Sequence, residues 1–185
     1  VCGGEVLLDF LTHRHPRIFN IYGPTEMTIN TTCFSVCLGG FVSIGKPIDN
    51  ALCYVVHHDD GMLCPLNVSG ELWIGGAGVA RGYHNRQTLT ALKFIPNPFH
   101  QEGQVYKTGD KVRWNSKGNL EFIGRFDNQV KIRGFRFELG EVEAALMTLK
   151  LIEDVVVLVK DQMLITYTKG PTTINVESVS YTHLT

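Results

Sequence analysis

The 185-residue sequence has no uninterrupted apolar run of the roughly 18 residues that a bilayer-spanning helix needs, so no helical membrane span is expected. It has no excess of positive charge: 17 Lys and Arg stand against 18 Asp and Glu, a formal net charge of −1. Nucleic acid and anionic membranes attract basic surfaces, so neither is expected as a partner. Cysteine is sparse and unpaired in pattern. The five (Cys2, Cys33, Cys37, Cys53, Cys64) are an odd number without CxxC spacing, which argues against a disulfide framework or a zinc site. Reduced thiols and a cytoplasmic location are the expectation. There is no initiator Met and no signal peptide before Val1-Cys2-Gly3-Gly4-Glu5, and the Ser178–Thr185 end has no closing element. Both ends read as cuts in a longer protein, and the sequons at Asn30 and Asn67 carry no weight without a secretory signal.

What is present suits a globular chain. Hydrophobic residues make up 44% and charged residues 19%, enough for a core in one large domain or two small ones. The run Arg17–Tyr22 ends at Gly23-Pro24 and reads as a buried strand entering a turn. Ala51–Val56 predicts a second strand, His57–Gly61 a hairpin turn, and Gly70–Ile74 the returning strand. Strands are also expected over Lys111–Trp114 and Asn119–Ile123, around a turn at Asn115–Gly118. This spacing predicts a β-rich middle, a small barrel or sandwich. After Gly124 the pattern changes. Gln129–Arg133 alternates like a half-exposed strand, and Leu139, Val142, Leu146 and Leu149 recur at helical spacing. Asp154–Val159 and Met163–Thr168 read as further strands. The expected organisation is therefore residues 1–124, then a small α+β unit over 125–185, with the boundary at Arg125–Asp127.

Several motifs fail on inspection. Gly40–Lys46 has phosphate-loop spacing, but Pro47 stands where a magnesium-binding hydroxyl is needed. Gly76-Ala77-Gly78 starts like a dinucleotide fingerprint, but Arg81 replaces the third glycine. His13 with His15, and His57 with His58, lack nearby carboxylate or thiolate ligands and read as solvated loop residues.

Four segments taken together are far more specific. They are Asn20-Ile21-Tyr22-Gly23-Pro24-Thr25-Glu26, Gly70–Tyr83 (GELWIGGAGVARGY), Tyr106-Lys107-Thr108-Gly109-Asp110, and Gly124–Gly134 continuing to Glu143. In this order they resemble the successive core motifs of adenylation domains in nonribosomal peptide synthetases, within the adenylate-forming superfamily. The resemblance covers about residues 1–160. It implies the end of a large α/β core with a small β-barrel-like subdomain, followed by a small mobile C-terminal subdomain.

That family joins a carboxylic acid to the α-phosphate of ATP, releases pyrophosphate, and passes the acyl group to a thiol. The resemblance implies ATP and Mg²⁺, with phosphopantetheine on a carrier-protein domain, and a condensation domain as a further partner. It assigns Thr25 to a phosphate contact and Glu26 to magnesium. Asn20 and Tyr22 become adenine neighbours, one bonding the base edge and the other stacking, with Ile21, Gly23 and Phe122 in the same nucleotide set. Gly3 and Gly4 resemble a glycine pair that admits the nucleotide. Asp110 resembles the acceptor for the ribose hydroxyls, although alone it would read as a turn aspartate after Gly109. Arg125 is a ribose or phosphate contact, and Asp127 the hinge. Lys131 and Arg136, with Arg133 and Gly134, resemble a loop presented to the site in the thioester-forming state. Arg81 and Gly82 read as structural. Val1, Gly3, Ile21, Ile29 and Asn30 would line part of a mostly apolar acyl pocket. The family's phosphate-binding loop and its adenylating lysine find no match in the chain, and the stretch after Gly170 does not resemble the family's closing motif. An acyl- or aryl-CoA ligase of the same superfamily is the alternative enzyme, and a non-catalytic nucleotide-binding fragment the alternative of another class.

Overall fold

The computed structural model describes residues 18–36, 43–127, 129–132, 135–149, 151–160 and 163–170; the side chains of Lys131, Phe135 and Arg136 lie outside that description. The chain divides into two compact units, Val1–Asp127 and Asn128–Thr185.

In the first unit, β1 (Ile18–Tyr22) pairs antiparallel with β2 (Thr32–Val36), which pairs with β3 (Lys46–Pro47). The alternation of β1 turns Asn20 and Tyr22 inward and leaves Phe19 exposed, as a period of two requires. A second sheet has β4 (Ala51–Val56), β5 (Gly70–Gly76), β7 (Gln104–Trp114) and β6 (Phe94–Pro96) in that order, with β8 (Leu120–Arg125) added on β7. The short helix α1 (Gln87–Lys93) precedes β6. All pairings within the sheet are antiparallel.

Strand β5 is buried on both faces, which explains its nearly continuous apolar text. On one face Leu72 and Ile74 join Tyr22, Met27, Ile44, Val55, Phe94, Tyr106, Val112 and Leu120 in a single core shared by both sheets. On the other, Trp73 packs with Val56 and Val105, and Phe99 lies 6.2 Å from its ring. A fully buried Leu or Ile such as these contributes roughly 1.5–3 kcal/mol, so the shared core holds the site's two supporting sheets together.

The second unit has a hairpin of β9 (Gln129–Ile132) and β10 (Phe135–Glu138), the helix α2 (Leu139–Met147), and a second hairpin of β11 (Asp154–Lys160) and β12 (Met163–Lys169). Leu139, Ile152, Val155 and Val157 form its core, with Val130, Val142 and Leu146 packed against it.

The strands expected at Ala51–Val56, Gly70–Ile74, Asp154–Val159 and Met163–Thr168, and the helix from Leu139, are present. Three differences stand out. The strand expected from Lys111 starts at Gln104, so Tyr106–Asp110 lies inside β7 rather than in a turn before it. Strand β10 intervenes before the helix. Leu149, read as the last helical apolar position, lies past the helix end and is 52% exposed, because the chain tightens into i→i+3 bonds from Thr148 and Leu149.

Candidate functional site

The first element of the site is the turn after β1. Gly23 ends the strand where a Cβ would fall 2.0 Å from the Ile29 carbonyl oxygen, so only glycine allows this closure. Thr25–Met27 forms one 3-10 turn, closed by Met27 N–H to Pro24 O at 3.0 Å. Thr28 and Ile29 then take positive φ (54° and 80°), an arrangement that β-branched residues adopt at an energetic cost and that clusters at functional sites. Thr25, Ile29 and Asn30 are exposed on this turn, whereas Glu26 is buried. Its backbone carbonyl accepts Ala80 N–H at 2.8 Å, and its Oε1 accepts the Tyr83 hydroxyl at 2.7 Å.

The second element is a bulge in β7. Glu71 faces Lys111 and Trp73 faces Lys107, so Leu72 alone stands opposite Thr108, Gly109 and Asp110. Three bonds fix it. Thr108 Oγ1 donates to Leu72 O at 2.7 Å, Asp110 N–H donates to Thr108 Oγ1 at 2.9 Å, and Gly109 N–H donates to Glu71 Oε1 at 2.9 Å. The other Glu71 oxygen accepts Trp73 Nε1–H at 2.9 Å. Gly109 has φ +76°, and a Cβ there would come within 2.8 Å of Arg125 Nη2, so the Thr-Gly-Asp text serves a bulge.

The bulge delivers Asp110 to the centre of a polar string. The Tyr22 hydroxyl donates to its Oδ2, and Arg125 Nη1 donates to its Oδ1 at 2.5 Å. Arg125 Nη2 also reaches Thr108 O at 3.0 Å. Its Nε and Nη2 bind the two carboxylate oxygens of Asp127 at 2.6 and 2.7 Å, a bidentate pair. Burial raises the Tyr22 hydroxyl well above its ordinary range, and the charge of Asp110 adds to the shift, so this hydroxyl stays a donor. Burial likewise pushes the Tyr83 hydroxyl up, helped by its bonds to Tyr106 and Glu26.

The structure thus joins Tyr22, Asp110, Arg125 and Asp127. Asn20 sits beside them on β1, with its amide donating to Ser43 O at 2.7 Å. The Tyr22 ring is packed in the core. Ile21 is half-buried on β1, and Phe122 is 45% exposed on β8. Val1, Gly3 and Gly4 lie outside the described residues, as do Arg133, Gly134 and the side chains of Lys131 and Arg136. No group of three or more His, Cys, Asp or Glu that could hold a metal occurs among the described residues. Two contributors escaped the sequence reading. Glu71 pins the bulge and Tyr83 holds Glu26; the only signals were an acidic residue inside an apolar strand and an aromatic closing a glycine-rich segment.

The donor set fits a magnesium nucleotide. Glu26 supplies a hard carboxylate oxygen of the kind Mg²⁺ takes, and Asp110 beside Arg125 pairs an acceptor for hydroxyls with a cation for phosphate. A ribose reaching Asp110 has to share that carboxylate with Tyr22 and Arg125, or displace one of them.

A family model described as AMP-binding enzyme matches residues 2–84. Tyrocidine synthase 3 of Brevibacillus parabrevis is 46% identical over 169 residues, 86% of this chain and 2% of that protein. Phosphinothricin tripeptide synthetase PhsB of Streptomyces viridochromogenes is 44% identical over 182 residues, 91% of this chain and 15% of its own length. The solved structure of PA1221, an NRPS protein containing adenylation and PCP domains, matches with a TM-score of 0.74 at 32% identity, over 83% of this chain and 33% of that one. Holo-AB3403, a four-domain nonribosomal peptide synthetase bound to AMP and glycine, matches at 41% identity with a TM-score of 0.58, over 86% of this chain and 12% of that one. The chain therefore spans only a small part of the curated relatives it matches. It belongs to the AMP-binding enzyme family, as a stretch of an adenylation domain of the nonribosomal peptide synthetase type.

Proposed function

We propose that the protein containing this chain uses ATP to activate an amino acid as its acyl-adenylate, releasing pyrophosphate, and then passes the acyl group to a carrier-domain phosphopantetheine thiol. The observation that carries this reading is the meeting of three separate motifs at Asp110. Tyr22 comes from the first, Asp110 from the third and Arg125 from the fourth. A relative bound to AMP and glycine supports an amino acid as substrate, and relatives that join adenylation to PCP domains support a carrier partner.

Phosphoryl transfer of this kind relies mainly on positioning and charge neutralisation. In this reading Asp110 receives the ribose hydroxyls, held in direction by Tyr22 and by the bulge. Arg125 offers its cation to the ribose or a phosphate. Thr25, exposed on the turn, contacts phosphate, and Glu26 holds the Mg²⁺ that neutralises the phosphates when bound. Asn20 and Tyr22 neighbour the adenine, Ile21, Gly23 and Phe122 belong to the same nucleotide set, and Gly3 and Gly4 admit the nucleotide. Lys131 and Arg136 belong to the thioester-forming arrangement. Val1, Gly3, Ile21, Ile29 and Asn30 line part of the acyl pocket, which suits a neutral side chain.

Residues 125–185 act as the mobile subdomain, turning at Asp127. Supporting this, the two compact units meet between Asp127 and Asn128. ATP–pyrophosphate exchange with a panel of amino acids, on the full-length protein, tests the activity; no exchange with any of them rejects it. Asp127→Pro fixes φ near −65° and tests the hinge. Exchange should survive far better than thioester loading, and equal losses in both reject the pivot.

A further inference from the structure

We propose that Tyr83 is a positioning residue for the Glu26 carboxylate and, through it, for the Mg²⁺ that accompanies ATP; this rests on the role proposed for Glu26. Glu26 stands on a single 3-10 turn, too short to fix a long side chain by itself. The constraint comes from a segment 57 residues away, whose Tyr83 hydroxyl donates to Glu26 Oε1 at 2.7 Å.

That segment is itself anchored at every step. Gly78 O accepts the Thr28 hydroxyl at 2.9 Å, and Ala80 N–H donates to Glu26 O at 2.8 Å, so it grips the turn at Glu26 and again two residues on. Gly82 takes φ +140°, and a Cβ there would strike Thr90 Cγ2 at 2.4 Å, which keeps the chain tight against α1. Thr90 Oγ1 accepts Tyr83 N–H at 2.9 Å. The Tyr83 ring meets Phe94 edge-on at 5.4 Å, and its hydroxyl lies 3.5 Å from that of the fully buried Tyr106. Backbone, ring and hydroxyl of Tyr83 are thus all fixed, and the group they present to Glu26 is a single O–H. A donor fixed in this way orients a carboxylate as outer partners orient metal ligands, where their loss typically costs 10- to 100-fold in metal affinity.

Tyr83→Phe in the full-length protein removes that O–H and keeps the ring. ATP binding is measured by calorimetry without Mg²⁺ and with saturating Mg²⁺. The gain in ATP affinity that Mg²⁺ confers should fall about 10- to 100-fold, while binding without Mg²⁺ stays unchanged. An unchanged gain, or an equal loss in both conditions, overturns the proposal. Glu26→Gln, run in parallel, should abolish most of the gain. If it does not, the role of Glu26 fails and this proposal with it; if it does while Tyr83→Phe leaves the gain intact, Tyr83 alone is wrongly placed. Should Tyr83→Phe misfold, Thr90→Val loosens the Tyr83 backbone instead. A smaller fall in the same gain supports the proposal, and none overturns it.

Discussion

The two units handle carboxylates in opposite ways. The first buries three, Glu26, Glu71 and Asp110, each with donors from its own strands and turns. Among the described residues of the second, every carboxylate keeps at least intermediate exposure, and apart from Gln129 the buried side chains are aliphatic. A buried carboxylate is costly unless it is hydrogen-bonded or paired, so a chain bears that cost only where direction matters. The contrast shows where the molecule fixes carboxylates in place and where it relies on apolar packing.

The sharpest way to break the contrast is Asp110→Ala, which strands the Tyr22 hydroxyl and one arm of Arg125. Losing a charged partner in such a site costs roughly 2–4 kcal/mol, so exchange by the full-length protein should fall about 30- to 1000-fold. A variant with near wild-type exchange would mean that the buried string is structural only. The second test is alkaline. Tyr22 ionises well above its ordinary 10.0 in the folded state, so it holds its proton longer there than when unfolded. Its contribution is therefore complete below pH 10 and is lost as pH rises towards the folded value, at about 1.4 kcal/mol per pH unit. Urea unfolding from pH 9 to 12 should show this decline in the first unit, and Tyr22→Phe should remove it.

Glu71→Ala should destabilise the first unit by about 1–3 kcal/mol, because Gly109 N–H and Trp73 Nε1–H lose their acceptor inside the sheet. Its urea midpoint reports the loss. In the second unit the same logic predicts apolar sensitivity instead. Val157, 2% exposed, should cost about 1.5 kcal/mol on replacement by Ala, whereas Val156, 48% exposed on the same strand, should stay within about 0.5 kcal/mol. Equal effects of the two valines would remove the aliphatic core from the comparison.

Much of this was legible in the sequence. Short apolar runs marked β1 and β4, alternation marked β9, and the turn at Asn115–Gly118 announced itself by composition. Taken alone, the Thr-Gly-Asp segment reads as a turn, because a glycine next to an aspartate signals one. Here tertiary bonds from Leu72 O and Glu71 override that local preference and hold the segment in a strand. Leu149 followed the helical spacing, but periodicity does not report where the hydrogen bonds tighten. Asp110 and Arg125 take roles from their motifs, whereas Glu71 and Tyr83 stand inside the Gly70–Tyr83 motif without one. Their importance lies in partners 38 and 57 residues away, and no local pattern records such distances.

The bond between Tyr22 and Asp110 spans 88 residues of chain. During synthesis at roughly 5–20 residues per second, the tyrosine is added to the chain about 4–18 s before its aspartate. For that interval β1 can pair with β2, but the hydroxyl has no carboxylate to meet and Met27 has no Tyr106 or Val112 to pack against. The shared core of the first unit therefore cannot be completed until β7 and β8 have been translated.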